Sequence, residues 1–239
     1  MSSGGSRRRL LLMRHGAVEY FDAQGHPYPP DDVPLTATGV DQAQAMGAAL
    51  AAAGVRIDRA VTSGLLRTRQ TAQHVLAAAP TAVPIEHWPQ LAEIRPGQLA
   101  SIPADQLGAA FVGAFAGPVA RDTRFLQGES IGSLLDRTVP ALQQLLAAED
   151  WDTALLVLHG GVNRGLLSWF LTGEAVFLGG LEQSTGCLNI IDVGDTPADS
   201  VVRVVNFCPI EPLQTGTRLS TMEHLLQKYL SLRAARGDR

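Results

Sequence analysis

The chain has 239 residues, 46% of them hydrophobic and 18% charged, so it can bury a large core and is not a disordered chain. Its formal net charge of −4 gives no support to the binding of nucleic acid or another polyanion, so any affinity for phosphate must be local. The two cysteines, Cys187 and Cys208, are too few for a disulfide scaffold and lack metal-ligand spacing, which indicates buried free thiols in a reducing cytosol.

The chain starts with a basic stretch that is followed by a short apolar run. The run at 10–13 is too short for the core of a signal peptide or for a membrane span. We therefore expect residues 1–8 to form a flexible tail that leads into a strand. No later apolar stretch reaches spanning length, and no internal repeat or long linker divides the chain. These observations predict a single cytoplasmic domain over 1–239, with no membrane association.

Helix and strand patterns alternate as far as residue 88. Thr36-x-x-Gly39 begins an Ala-rich helix, and Gly54 ends it. The predicted elements of this half are a helix at about 36–53, a strand at 59–62, a helix at about 65–79 and an edge strand at 85–88. Strands that alternate with helices are typical of a layered α/β fold.

The segment at about 96–127 interrupts this alternation. It mixes glycine, alanine and proline with Phe111, Phe115 and Phe125. An insertion of this length beside an active edge is often a lid or specificity cap, and we predict that role here. The alternative is a helical excursion that only packs on the domain.

The second half of the chain returns to alternating helices and strands. The predicted elements are a helix at 129–148 with a kink at Pro140, a strand at 154–158, a helix at 162–172, strands near 187–193 and 201–207, and a helix at about 220–235. Together the elements predict an α/β fold of three layers, in which helices cover both sides of a mostly parallel sheet.

The last helix belongs to a C-terminal helical extension at about 213–239. Ser220-x-x-Glu223 has the form of a capping box at its start. One face of this helix is apolar, and its members are Leu219, Met222, Leu225, Leu226, Tyr229 and Leu230. Such a face could cover the core, which is the more common outcome, or join a second copy in a homodimer.

Two segments share an apolar run that ends in His-Gly. The runs before His15 and His159 have the pattern of buried strands in a parallel sheet. In such sheets ligands bind beyond the carboxyl ends of the strands. We therefore expect both histidines at one functional edge, although they lie far apart in the sequence.

Two arginines stand in comparable positions. Arg14 directly precedes His15, and Arg67 lies just after the second predicted strand, where the next helix begins. A helix start presents free N–H groups to an anion, and a planar guanidinium binds phosphate oxygens in a bidentate manner that lysine cannot reproduce. Two arginines and two histidines at one edge predict a pocket for a tetrahedral phosphate that needs no metal ion.

Five segments of the chain resemble the histidine phosphatase superfamily, the phosphoglycerate mutase-like proteins. They are, in family order, Arg14-His15-Gly16, Leu35-Thr36-x-x-Gly39-x-x-Gln42-Ala43, Ser63-x-x-x-Arg67-Thr68-x-Gln70-Thr71, Leu91-x-Glu93-Ile94-x-x-Gly97 and His159-Gly160. The resemblance runs from about residue 10 to 193. Five segments in order are far more specific than an Arg-His-Gly triplet alone.

The resemblance implies a role for each residue of this edge. His15 would be the nucleophile that takes the phosphoryl group and forms a phosphohistidine, and it must be unprotonated on the attacking nitrogen. Glu93 would protonate the leaving alcohol and then take a proton from the attacking water. The phosphate and the charge of the transition state would be held by Arg14, Arg67, His159 and Gly160.

Several departures from the family pattern bear on the reaction. The stretch at 17–21 lacks the small hydroxyl residue and the asparagine that many relatives place near the phosphate, and 98–101 lacks the Glu-Gly that often follows Gly97. The loop at 22–34 is longer and richer in proline than in compact relatives, and we expect it to wall the substrate pocket. Gly161 stands where the mutase branch typically has asparagine, which favours hydrolysis over transfer.

Two other carboxylates compete with Glu93 for the role of acid. Glu19 and Glu129 could serve instead, while Glu93 itself could form a surface ion pair with Arg95. Glu129 could equally be a carboxylate that stabilises the start of a helix.

The leading hypothesis is a metal-independent phosphatase, without a cofactor, that hydrolyses a small organic phosphomonoester through phosphohistidine. A mutase that passes the phosphoryl group between hydroxyls is the second hypothesis. A noncatalytic phosphate-binding or interaction module is the third, and the presence of both histidines and both arginines argues against it. The phenylalanines and few charges of the 96–127 segment predict a substrate with some apolar surface rather than a sugar bisphosphate.

Overall fold

A six-stranded sheet forms the centre of the structure, a computed structural model that describes residues 7–22, 26, 28–78, 82–216 and 218–236. Its strands, in spatial order, are β3 (Ile85–His87), β2 (Arg59–Thr62), β5 (Thr153–Leu158), β1 (Arg8–Arg14), β7 (Leu188–Val193) and β8 (Val201–Phe207). The first four run parallel, whereas β7 is antiparallel to β1, and β8 to β7. The predictions of a mostly parallel sheet and of an edge strand near 85–88 are confirmed.

Helices cover both faces of the sheet because its central strands are apolar on both sides. α1 (Ala37–Ala52) and α2 (Leu66–Leu76) share one core with Leu11 and Met13 of β1. α4 (Ile131–Ala147) and α5 (Gly160–Thr172) share the other core with Leu10 and Leu12. Alternate residues of one strand thus face the two cores, as a pleated strand requires, and the three-layer prediction is confirmed.

Most predicted elements are present with shifted ends. The first helix begins after Thr36, whose hydroxyl accepts a hydrogen bond from the N–H of Gly39, and Gly54 follows its end with a φ of +68°. The second helix ends at Leu76, short of the predicted end at 79; residues 79–81 lie outside the described part of the chain. The first strand begins at Arg8, so the last residue assigned to the tail belongs to the sheet, while residues 1–6 are outside the description.

The segment at 96–127 folds as short helical turns around α3 (Leu107–Val112) and continues into β4 (Pro118–Val119), which pairs with β6 (Phe177–Leu178) in a separate small sheet. Phe111 and Phe125 are buried in the core that α4 and α5 share. Because these aromatic side chains face the core, they do not support the expectation of a substrate with apolar surface. The role of this segment as a lid stays a prediction.

The C-terminal helix α6 (Thr221–Arg236) packs on the domain with its apolar face. Its capping box is present, since the N–H of Ser220 donates to Glu223 at 2.6 Å and the N–H of Glu223 donates to the Ser220 hydroxyl at 3.3 Å. Leu230 stays 44% exposed. The members that pack into or against the core are Met222, Leu225, Leu226 and Tyr229. This face therefore covers the core, and a homodimer stays a prediction.

The structure describes the burial of the two cysteines and the apolarity of the helices. Cys187 and Cys208 are both free thiols, but only Cys187 is fully buried, so the prediction of buried thiols is wrong for Cys208. Burial raises the pKa of the Cys187 thiol to about 12, which keeps it protonated. Among the helices that the structure describes, none combines the length and the apolarity needed to cross a bilayer. The cytoplasmic location stays a prediction.

Candidate active site

The two strand-end histidines meet because their strands are neighbours in register. β1 and β5 pair in parallel with Arg14 opposite Leu158, so His15 and His159 both follow the last paired residues. The N–H of His15 donates to the carbonyl of Leu158 at 3.0 Å, and the centroids of the two imidazole rings lie 5.3 Å apart. Both rings therefore lie at the carboxyl end of the sheet, as the sequence predicts.

His15 is held as a neutral ring with one nitrogen free. Its side chain is buried, and its Nδ1 lies 2.7 Å from the carbonyl oxygen of Gly16. A carbonyl oxygen can only accept, so Nδ1 carries the proton and Nε2 keeps its lone pair. Burial, and then the charges of Arg67 and Arg14, lower the pKa of His15 well below its usual 6.5. The unprotonated Nε2 is the form that a nucleophile requires.

His159 lies beside the end of β2 as well as that of β1. Thr62, the last residue of β2, pairs with Val157, and the next residue, Ser63, reaches the ring with its Oγ 2.8 Å from Nε2. When the Ser63 hydroxyl donates this hydrogen bond, the proton of the neutral ring is on Nδ1. This nitrogen is buried, and none of the described residues bonds to it. Burial first, and then the charge of Arg67, lower the pKa of His159 well below 6.5. In that tautomer the Nδ1–H is a free donor beside His15.

Two buried guanidinium groups flank the imidazole rings. Arg14 is 6% exposed and Arg67 is 3% exposed. One nitrogen of each group is used within the protein, since Nη1 of Arg14 donates to the carbonyl of Gln183 and Nη1 of Arg67 to that of Pro30. The Nε of each is buried and has no hydrogen-bond partner in the described part of the chain. Leaving a buried donor unpaired costs roughly 1–3 kcal/mol, so the two Nε–H groups mark where the oxygens of an anion would lie.

The start of α5 completes this edge of the sheet. The helix begins at Gly160, directly after His159, whereas the sequence predicts a start at residue 162. Gly160 and Gly161 form its first turn, where a helix favours anions. A Cβ at Gly160 would lie 3.4 Å from Nε of Arg14, so this glycine lets the arginine approach the helix start. A Cβ at Gly161 would lie only 2.7 Å from Oε1 of Glu93. The two glycines therefore make room for the groups on either side of them.

Glu93 reaches the same edge from the loop after β3. Its Oε2 accepts from the N–H of Gly161 at 3.1 Å, and its Oε1 accepts from the N–H of Ile94 at 2.8 Å. Arg137 of α4 fixes the loop, because its Nη2 donates to the carbonyl of Glu93 at 3.1 Å. The other carbonyls that Arg137 holds are those of Gln90 and Ala92. Glu93 is thus anchored at the turn that follows His159.

Glu129 and Glu19, the alternatives to Glu93 for the role of acid, form ion pairs with other residues. Glu129 accepts from Nε of Arg137 at 2.8 Å and from the N–H of Arg95 at 2.9 Å. Burial opposes ionisation of Glu129, but these hydrogen bonds hold its pKa below the usual range. Glu19 pairs with Lys228 of α6. Among the ion pairs of the described residues none joins Glu93 to Arg95, so of the three carboxylates Glu93 is the one beside the histidines.

Several residues that position this edge were not found from the sequence. Arg137 holds the loop of Glu93, and Thr221 lies within hydrogen-bond distance of Arg14. Arg164 interrupts an apolar stretch, yet it is 3% exposed and pairs with Glu182 at 2.9 Å. Each contact joins residues that are distant in sequence, so no local pattern could reveal it. A charged residue inside an apolar helix, as at Arg164, was the one available signal.

The lowered pKa values of the two histidines predict a pH dependence of stability. Below about pH 6.5 the unfolded chain protonates His15 and His159, whereas the folded chain keeps them neutral. Because the unfolded state then binds more protons, the free energy of unfolding should fall as the pH is lowered through 6.5. The expected slope is up to about 1.4 kcal/mol per pH unit for each histidine. Urea unfolding at pH 7.5, 6.5 and 5.5 measures it.

Comparison of two histidine variants tests whether the buried rings cause this pH dependence of the free energy of unfolding. His159→Gln should flatten the dependence below pH 6.5, while His224→Gln, which alters an exposed histidine on α6, should keep the wild-type slope. An unchanged slope in His159→Gln would mean that His159 also takes up its proton in the folded state.

Comparison with known sequences finds a family model and relatives that match most of the chain. It matches the model of the histidine phosphatase superfamily (branch 1) over residues 10–205. A probable phosphoglycerate mutase GpmB from Serratia proteamaculans is 33% identical over 173 residues, and one from Proteus mirabilis is 34% identical over 168 residues. Each match covers 68% of this chain and 74% of the relative.

Solved structures of similar fold carry other names. A putative alpha-ribazole-5'-P phosphatase from Escherichia coli has a TM-score of 0.65 and 23% identity, covering 84% of this chain and 96% of that one. A mycobacterial glucosyl-3-phosphoglycerate phosphatase in complex with VO3 has a TM-score of 0.64 and 23% identity, covering 83% and 98%. At these identities the likeness shows the fold alone.

Proposed function

The chain belongs to the histidine phosphatase superfamily (branch 1), and on that premise we propose that it is a metal-independent phosphatase that hydrolyses a small organic phosphomonoester through a phosphohistidine at His15. Its relatives in sequence are named as probable mutases, and a structure of similar fold is named as a putative phosphatase. Membership of the family therefore supports a reaction at a phosphoryl group. The proposal adds that this group is transferred to water.

One observation carries the proposal: three buried nitrogen atoms beside the two imidazole rings have no hydrogen-bond partner among the residues that the structure describes. They are Nε of Arg14, Nε of Arg67 and Nδ1 of His159. The three oxygens of a phosphoryl group can accept from all of them, and bidentate guanidinium contacts suit its geometry. Donors that are already in place cost no reorganisation when charge develops in the transition state. A phosphate monoester is the ligand that this set of donors fits best.

In the first chemical step Nε2 of His15 attacks phosphorus and the bond from phosphorus to the ester oxygen breaks. The negative charge on the phosphoryl oxygens is offset by Arg14 and Arg67, and His159 donates from Nδ1. Glu93 in its acid form gives a proton to the departing alcohol. The products of the step are the free alcohol and a phosphohistidine, and Nδ1 of His15 keeps its proton through its bond to the carbonyl of Gly16.

In the second step water attacks phosphorus and the bond from phosphorus to Nε2 breaks. Glu93, now ionised, takes a proton from this water, which returns it to the acid form and releases orthophosphate. His15 leaves as the neutral ring, and its lowered pKa favours that state. Each turnover thus restores the starting protonation of both residues.

The contact between Gly161 and Glu93 supports hydrolysis over transfer. A Cβ at position 161 would lie 2.7 Å from Oε1 of Glu93, so an asparagine there would displace the carboxylate from its observed place. The mutase branch of the family typically has that asparagine. A mutase remains the second candidate because the GpmB relatives are named as probable phosphoglycerate mutases.

The composition of the site supports chemistry without a metal ion. The positive charges beside His15 are guanidinium groups. In the part of the chain that the structure describes, no group of three or more His, Cys, Asp or Glu side chains is placed to hold a metal. We accordingly expect activity to be unaffected by a chelator.

A phosphate-release assay on a panel of monoesters tests the proposal. Suitable substrates are p-nitrophenyl phosphate, 3-phosphoglycerate, alpha-ribazole 5'-phosphate and a glucosyl-3-phosphoglycerate, assayed with and without EDTA. We expect release of orthophosphate from at least one of them, the same rate with EDTA, and no isomer of 3-phosphoglycerate. Isomer formation without net release of phosphate would establish the mutase instead. Binding of orthophosphate without turnover of any monoester would leave a noncatalytic module.

A further inference from the structure

The C-terminal helix lies outside the segment that matches the family, yet its first turn reaches the candidate active site. The family match ends at residue 205, and α6 runs over Thr221–Arg236. The hydroxyl of Thr221 is 3.1 Å from Nη1 of Arg14 and accepts a hydrogen bond from it. A residue of this chain's own C-terminal part therefore touches the arginine that directly precedes His15.

Thr221 links Arg14 to a partly buried ion pair. Its hydroxyl donates to Oε1 of Glu182 at 2.8 Å, while Oε2 of Glu182 accepts from Nη2 of Arg164 at 2.9 Å. The hydroxyl thus accepts from a cation and donates to an anion, and both bonds are of the stronger, charge-assisted kind. Arg164 also donates to the carbonyl of Gly160, at the start of α5. The chain of contacts returns in this way to the turn that follows His159.

The rest of α6 is attached at two further places, which fixes where Thr221 lies. The Tyr229 ring packs between two aromatic rings, with centroid distances of 6.0 Å to Phe21 and 5.7 Å to Phe111. Lys228 forms an ion pair with Glu19. Phe21 and Glu19 lie on the loop after His15, and Phe111 lies in the 96–127 segment. The helix therefore bridges the loop after His15 and the 96–127 segment.

We propose that α6 is part of the active site and that Thr221 is a positioning residue for Arg14. The inference rests on the proposed function, because it assigns Arg14 to the phosphoryl group. A guanidinium presents its five N–H groups in a fixed plane, so holding Nη1 sets the direction of Nε. The Nη1 group is held from two sides, by the carbonyl of Gln183 and by Thr221, while Nε is left free for phosphate.

Replacement of the Thr221 hydroxyl is the direct test. Thr221→Val keeps the shape of the side chain and removes the hydroxyl, so it should lower kcat/KM and weaken inhibition by orthovanadate, each by about tenfold. Thr221→Ser restores the hydroxyl and should bring both quantities back to within about threefold of wild type. Ser231→Ala is the matched control, because it removes a hydroxyl from the same helix on the side that faces solvent. It should match wild type in both measurements.

A second variant covers the case in which Thr221→Val folds poorly. Glu182→Gln removes the charge to which Thr221 donates, and it should weaken orthovanadate inhibition in the same direction. Wild-type orthovanadate inhibition in both Thr221→Val and Glu182→Gln would overturn the inference, and so would a Thr221→Ser variant as impaired as Thr221→Val. If the wild-type protein turned over no monoester, the proposed function would fail, and direct binding of orthovanadate to the same variants would still decide the role of Thr221.

Discussion

Replacing His15 by alanine is expected to abolish phosphate release, with kcat lowered on the order of 10⁴-fold or more. The reason is that Nε2 of His15 has a lone pair available for attack on a neutral, buried ring. His159 cannot replace it, because in the proposed state its Nδ1 carries a proton and its Nε2 is bonded to Ser63. Orthophosphate release under saturating p-nitrophenyl phosphate measures the effect.

The covalent intermediate gives an independent readout of the same variant. Wild-type protein mixed with a labelled phosphoryl donor should acquire a label that is lost in acid and kept in alkali, as expected for a bond between phosphorus and nitrogen. His15→Ala should acquire none. His15→Gln keeps a polar side chain of similar size, so it separates loss of the nucleophile from collapse of the buried site, and we expect it to be equally inactive.

His87 provides the matched control for His15. It too is the histidine at the end of a parallel strand, but β3 lies at the edge of the sheet and His87 is exposed. His87→Gln should therefore retain activity within a few fold of wild type. Activity in His15→Ala close to that of His87→Gln would remove His15 from the reaction and with it the proposed mechanism.

The contrast between His15 and His87 also shows what the sequence could predict. An apolar run closed by a polar residue identifies a buried strand and its carboxyl end, which suffices to bring His15 and His159 to the same edge. It does not determine the order of the strands. That β5 lies directly between β1 and β2 depends on how helices pack on the two faces, which involves contacts between residues far apart in the chain.

The other differences between the sequence predictions and the structure also arise from contacts between residues that are far apart in the chain. The phenylalanines of the 96–127 segment suggested a surface for the substrate, but Phe111 and Phe125 complete the core, because aromatic side chains contribute most when they are buried. Arg137 and Thr221 were not found because each acts on a partner across a long stretch of chain. Local pattern thus predicts the candidate catalytic groups, whereas the groups that hold them in place follow from tertiary packing.

Glu93→Gln is the second replacement with a large expected effect, and the effect should depend on the leaving group. The amide keeps an oxygen that can accept from the N–H of Gly161, so the loop should stay in place. It can neither donate the proton of the first step nor take up that of the second. With a poor leaving alcohol such as glycerate, kcat should fall by about 10²–10⁴-fold.

With p-nitrophenyl phosphate the same variant should behave differently. The p-nitrophenolate ion leaves without protonation, so the first step should stay fast while hydrolysis of the phosphohistidine becomes slow. Rapid-mixing experiments should then show a burst of p-nitrophenol, equal to the enzyme concentration, followed by slow turnover. Glu19→Gln, which changes a carboxylate that pairs with Lys228, should show neither the burst nor the slow phase.

Gly161→Ala tests the position of Glu93 without changing its chemistry. The added methyl group would lie 2.7 Å from Oε1, a distance that real contacts do not reach, so the carboxylate must move away from the turn after His159. We expect a weaker form of the Glu93→Gln result, with the larger loss for the poor leaving group. Gly108→Ala is the control, because a Cβ there meets nothing within 4 Å. If Gly161→Ala and Glu93→Gln slowed formation of the phosphohistidine equally from both substrates, Glu93 would not be the acid of the first step, and the acid would have to be sought among the other carboxylates.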